Sequence, residues 1–180
     1  IARRLRRQLI AVPNNQIKAM VRTSVNQVAN AASQAVYSQN QEITKRYRYI
    51  ATLDSRTSAI CRALDGRTFK YNEGPTPPQH FNCRSTTVPI VDYKGLKISP
   101  PKPGKRRSSG GLVPANQHYG QWLFDQSKEV KADVLGASKV PYFNMLSRKY
   151  GPSVAIRKFV SADGTEKTLA ELKQSYDRFM

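Results

Sequence analysis

Between Asn15 and about Arg46, apolar and small residues return at Ile17, Val21, Val25, Val28, Ala32, Val36 and Ile43. Steps of three, four and seven are the period of one helix face, so the spacing predicts a long amphipathic helix with a narrow, Ala-rich stripe. Asn14 and Asn15, behind Pro13, suit its N-cap. The opposite face carries Asn, Gln and Ser with few charges. Two uses are open to such a face: packing on another protein or on the chain's own module, or plain solvation.

The period then changes. Tyr47, Tyr49, Ala51 and Leu53 alternate with Arg48, Ile50 and Thr52, which reads as a strand. Asp54-Ser55 marks a turn or cap before a short helix around Thr57 to Leu64. Asp65-Gly66 is a turn signal, with Thr68 to Tyr71 a brief strand after it. Gly74, Pro75, Pro77 and Pro78 make residues 72–82 a loop. The β-branched run Thr86 to Val91 is a second good strand, and Pro89 asks for an edge position or a break.

The stretch from Ile98 to Leu112 is dominated by Pro, Gly, Ser, Lys and Arg. That composition cannot bury a core, so it reads as a linker or arm. Beyond it, Tyr119, Trp122, Leu123, Val130 and Val134 predict one helix ending near Gly136, and Tyr142, Phe143, Leu146 and Tyr150 another. Asp163-Gly164 marks a turn. Thr168 and Glu171 form a capping box that opens a last helix through Leu172 and Tyr176. No internal repeat is present. The expected fold class is α+β: a long N-terminal helix packed on a small β-sheet module, a flexible basic linker and a mainly helical C-terminal region. The divisions fall at 1–14 (basic arm), 15–93 (module), 94–117 (linker) and 118–180 (helical region).

Charge changes this picture. The 180 residues carry 30 Lys+Arg against 12 Asp+Glu, a formal +18. A field of that sign attracts polyanions, nucleic acid first, although an acidic protein surface also satisfies it. The surplus is uneven: residues 51–93 are close to neutral, whereas residues 94–111 carry six Lys/Arg and no acid. Arg3, Arg4, Arg6, Arg7, Lys102, Lys105, Arg106 and Arg107 are the candidate phosphate contacts. No aromatic residues interleave the second cluster, and no helix-turn-helix, zinc-finger or RNA-recognition pattern appears, so contact with double-stranded DNA is expected without sequence specificity. No apolar run approaches the ~18 residues of a membrane span. The first residues are basic and break off at Pro13 without a signal-peptide core. The absent initiating Met suggests a fragment or processed product.

The chemistry-bearing residues gather in the near-neutral part. Two cysteines, Cys61 and Cys83, are too few for a secreted disulfide scaffold. With His80 they offer three good zinc donors, while a structural zinc site wants four, and Asp54 or Asp65 are the nearby substitutes. A Cys61–Cys83 disulfide is a second use. A third is a structural lock, in which buried thiols act as small hydrophobes, His80 and Asn82 bond backbone groups of the loop, Arg84 pairs with Asp54 or Asp65, and Gly66 supplies a positive-φ turn. A Cys/His hydrolase or nuclease built on the same residues is a fourth. The second histidine, His118, lies beyond the linker.

Thr52-Leu-Asp-Ser-Arg-Thr57, then Cys61-Arg-Ala-Leu64-Asp65-Gly66, Pro78 and His80-Phe-Asn82-Cys83-Arg84, resemble the phage Mu F-like minor head protein domain in order and spacing over about residues 15–92. Segments around Tyr119 to Gly136 and Lys158 to Leu169 also resemble parts that follow this domain in tailed-phage head proteins. One departure is Ser85, where the family pattern Cys-Arg-Cys has its last Cys. The resemblance implies a non-enzymatic virion protein, present in multiple copies inside the capsid near the portal and assembled in the bacterial cytoplasm. Its implied partners are the portal protein, other head proteins and packaged DNA, with roles in head assembly, packaging or delivery. A non-specific DNA-condensing protein is the alternative. No resident cofactor is expected unless the thiols hold zinc.

Overall fold

The computed structural model describes residues 13–176, so Arg3, Arg4, Arg6 and Arg7 lie outside the described residues. Helix α1 (Asn14–Gln39) spans about 39 Å at ~1.5 Å per residue. It stops earlier than the periodicity predicts. The Asn40 N–H bonds Tyr37 O, and Thr44 Oγ1 lies 3.1 and 3.2 Å from Tyr37 O and Asn40 O. These bonds occupy the last helical carbonyls and turn the chain into a strand that starts at Thr44 rather than Tyr47.

Strand β1 (Thr44–Ile50) is the centre of a three-stranded antiparallel sheet of order β2-β1-β3, with β2 at Thr68–Lys70 and β3 at Thr86–Val91. β3 is an edge strand, which is where a residue without an N–H, Pro89, is tolerated. The alternation continues past the strand: Tyr47, Tyr49, Ala51 and Leu53 are all buried. A short helix, α2 (Ala59–Leu64), packs against this face. Tyr49, Ala51, Cys61, Leu64 and Cys83 then form a small core, with Ile60 and Phe69 on its margin.

The segment expected as a linker is partly folded. Residues Lys105–Ser108 (β4) and Gly111–Pro114 (β5) form a hairpin, and it is stitched to the module by Ser109 N–H donating to Leu53 O at 2.9 Å. Composition missed it because the hairpin is anchored by long-range polar bonds and not by apolar residues of its own.

The C-terminal region is helical, as expected, with two corrections. The single helix expected from Tyr119 to Gly136 is two, α3 (Tyr119–Phe124) and α4 (Lys128–Leu135), because the Ser127 side chain accepts Val130 N–H and starts a new helix. Helix α5 (Val140–Tyr150) is followed by an unexpected α6 (Pro152–Lys158), whose Pro152 sits in the first turn, where a missing N–H costs nothing. Helix α7 (Leu169–Tyr176) opens on the expected capping box: Glu171 Oε2 accepts Thr168 N–H at 2.7 Å and Thr168 Oγ1 accepts Glu171 N–H at 3.3 Å. Leu53 from the module joins Trp122, Leu123, Phe143, Leu146, Phe159 and Leu172 in a second, larger core. Arg62 of α2 reaches across the same boundary to Val134 O (2.9 Å) and Glu166 (2.7 Å). The overall class is therefore α+β.

Candidate functional site

The long helix meets the module through its polar face. Asn26 Nδ2 donates to Cys83 O (2.9 Å) and Ser85 O (3.2 Å), and Gln34 Nε2 donates to Thr87 Oγ1 (2.8 Å). Thr23 Oγ1 accepts the N–H of Asn82 at 2.9 Å, and buried Asn30 accepts from Thr86 Oγ1 at 3.3 Å. The segment 82–87 carries backbone groups that its own sheet leaves free, and this helix face supplies their partners. The stripe Val21, Val25, Val28 and Val36 consequently points outward, each residue 57–69% exposed. Beside it stands Phe81, 71% exposed, across a groove of about 980 Å³ that Val21, Val25 and Ala29 also line. Of the two uses open to the polar face, packing on the chain's own module is the one realised.

Two carboxylates lock the signature segment. Asp54 accepts from Arg84 Nη1 and Nη2 at 2.5 and 2.8 Å, and this bond holds the Asp54 carboxyl below the usual carboxylate range. Asp65 is enclosed completely. It accepts the N–H groups of Ala51 and Tyr119, each at 2.7 Å, and pairs with Arg106 at 3.1 Å. Arg106 also donates to Gln117 O and to Ala51 O. One carboxylate therefore fastens the first strand, the hairpin and the first C-terminal helix. Gly66 follows it with φ +78°, and a Cβ there would lie 2.1 Å from His118 Nδ1. Positive φ and close approach both require glycine. Leu64 lies in the small core.

The thiols and the imidazole meet. Cys61 Sγ lies 3.4 Å from His80 Nε2 and 3.8 Å from Cys83 Sγ, and the three donor atoms fall within 4.8 Å of one another. Both cysteines are free and buried, while His80 is half-buried. His80 Nδ1 lies 2.8 Å from Phe81 O. A carbonyl only accepts, so Nδ1 carries a proton, and in the neutral ring the Nε2 lone pair then faces the thiols. The two thiols share a proton unequally. A hydrogen bond from Cys61, helped by the N–H groups of Gln79 and Ser85, holds the Cys83 thiol below its ordinary value, whereas that bond and burial push Cys61 up. Tyr49 Oη lies 3.3 Å from Cys61 Sγ, and burial pushes its phenol up, so it stays protonated. Asn82 contributes its left-handed backbone, φ 57°.

The basic candidates divide. Lys102, Lys105 and Arg107 are exposed, whereas Arg106 spends its guanidinium on Asp65 and two carbonyls and is not free for phosphate. Its inward role was hidden because a run of Lys and Arg does not reveal which member faces a carboxylate forty residues earlier. Asn26 was also missed, and the Asn/Gln-rich face was its only signal. No described helix is long and apolar enough to cross a membrane.

Residues 1–88 match the family model described as Phage Mu protein F like protein. The chain is 26% identical over 152 residues to the Mu-like prophage FluMu F protein of Haemophilus influenzae, which covers 78% of this chain and 36% of that protein. The chain thus spans about a third of the length of this curated relative. No solved structure matches the chain. The likeness to the Phage Mu protein F like family is thus carried by residues 1–88, just under half of the chain, which hold the long helix, β1, β2, the start of β3 and the Cys/His cluster.

Proposed function

We infer that this chain is a structural minor head protein of a tailed phage, located inside the capsid at the portal, and that α1 is its assembly surface. The observation that carries the reading is the outward apolar stripe on a module that matches the Mu F-like family. A helix that turns Asn26, Asn30 and Gln34 inward and exposes four valines has its apolar face available for another protein. Phe81 across the groove widens the patch. The occupant is the portal protein. Two copies of a chain with net charge +18 repel one another, which disfavours self-association through this surface. Several copies around the portal then present Lys102, Lys105 and Arg107 to packaged DNA, neutralising phosphates without reading bases and assisting assembly, packaging or delivery. The role is structural rather than catalytic.

Co-expression with the portal protein of the same phage tests the reading. Capture of the portal by this chain is expected, with loss in Val25→Asp and Val28→Asp. Both positions are exposed, so the variants should keep wild-type stability to within about 0.5 kcal/mol. Capture that survives both substitutions would remove α1 from the interface. In a separate binding measurement, retention on duplex DNA should fall steeply with added salt.

A further inference from the structure

We propose that Cys61 Sγ, Cys83 Sγ and His80 Nε2 are three ligands of one zinc ion, with solvent in the fourth position beside Ser85. The distances carry the argument. Bonds of ~2.3 Å to sulfur and ~2.0 Å to nitrogen at tetrahedral angles set the donors about 3.8 Å apart for two sulfurs and about 3.5 Å apart for sulfur and nitrogen. The separations here are 3.8 Å for the two sulfurs and 3.4 Å from Cys61 Sγ to His80 Nε2, and the third pair lies within 4.8 Å. A disulfide needs sulfurs at ~2.05 Å and does not describe this pair.

The surroundings agree with ligation. The hydrogen bond from His80 Nδ1 to Phe81 O is the outer contact that fixes a ligating imidazole in the tautomer with Nε2 free. Asn26, bonded to the carbonyls of Cys83 and Ser85, holds the segment that presents the second sulfur. A cavity of about 20 Å³ lies against the cluster, lined by Cys61, His80, Ser58 and Ser85. That is room for one water, and its lining is polar. Two sulfurs and an imidazole form a borderline-soft donor set that favours zinc over magnesium or calcium. With three protein ligands and solvent in the fourth place, the site is an incomplete version of a structural zinc centre, and Ser85 marks the vacancy.

Cobalt(II) titration of the purified, reduced chain reads the site directly. One equivalent should bind, with the near-ultraviolet thiolate charge-transfer band and the intense visible bands of a tetrahedral ion, and zinc should displace it. His80→Ala leaves both buried thiols in place, so it should fold, and it should weaken binding by at least the roughly 10- to 100-fold that loss of an outer contact costs. Cys83→Ser should abolish the charge-transfer contribution of one sulfur. Ser85→Cys should tighten binding and strengthen that band by one thiolate. Zinc should also raise the unfolding midpoint of the wild-type chain and not that of His80→Ala. Failure of the wild-type chain to bind cobalt stoichiometrically would overturn the proposal, as would equal binding by wild type and His80→Ala. A Ser85→Cys chain that binds no more tightly than wild type would overturn the assignment of the fourth position.

Discussion

The two halves of the molecule are held by different means. The C-terminal helices close on thirteen buried apolar residues among those described, including Trp122, Phe143, Leu146 and Phe159. The core cluster of the N-terminal module has five, two of which are cysteines, with Tyr47, Ala63 and Tyr71 buried outside it. What it lacks in apolar area it makes up in polar connections: Asn26 and Gln34 from the helix, Arg84 on Asp54, and the enclosed Asp65. A small core is marginal by itself and commonly depends on additional fastenings. The difference teaches that the signature residues of the module are largely fastenings, and that its most apolar helix face is not used to close it.

Asp65 gives the largest way to break this comparison, because it belongs to both halves. Asp65→Ala leaves Arg106, whose side chain is 11% exposed, without its charge partner and frees the N–H groups of Ala51 and Tyr119. A loss of about 3–5 kcal/mol is expected. Denaturant unfolding followed both by Trp122 fluorescence and by far-ultraviolet dichroism should show the halves separating into two transitions. A single transition with little loss would mean that the apolar cores alone couple them.

Asn26 is the middle case. Asn26→Ala leaves the carbonyls of Cys83 and Ser85 without the donor from α1, with an expected cost of about 1–3 kcal/mol. The loss should fall on the module. Hydrogen exchange should quicken in α1 and β3 while the amides of α5 keep their protection.

The smallest effect belongs to Asp54 and Arg84, since the Arg84 side chain is 39% exposed and solvent screens the pair. Arg84→Ala should cost up to about 1 kcal/mol at neutral pH. The folded carboxyl of Asp54 is depressed, so the stabilisation is full above the unfolded value near 4 and disappears as pH falls through the lower folded value. The wild-type and Arg84→Ala midpoints should therefore converge below about pH 4. A constant gap down to pH 2 would assign the effect of Arg84 to packing.

Much of this fold is legible in the sequence wherever one period dominates. The long helix, the inward set Tyr47, Tyr49, Ala51 and Leu53, and the capping box at Thr168 all follow from local spacing. The direction of the helix was not legible. Periodicity tells which residues share a face, but the choice of inward face was made by unpaired carbonyls at Cys83 and Ser85, which need donors and not valines. The β4–β5 hairpin was hidden for a similar reason: its anchor, Arg106, finds its partner 41 residues away in sequence. The Cys/His cluster was legible as residue types, but their separations were not, because the turns of residues 72–82 set them.

The enclosed carboxylate at position 65 bears on where this molecule can be cut. The recognisable family segment ends at residue 88, yet the groups that satisfy Asp65 include Arg106 and the N–H of Tyr119, and the ring that crowds Gly66 belongs to His118. A fragment trimmed to the recognisable segment would open a seam through its own middle, exposing a charge shaped to be covered. A piece that keeps these bonds runs at least through the hairpin and helix α3, well past the end of the family match.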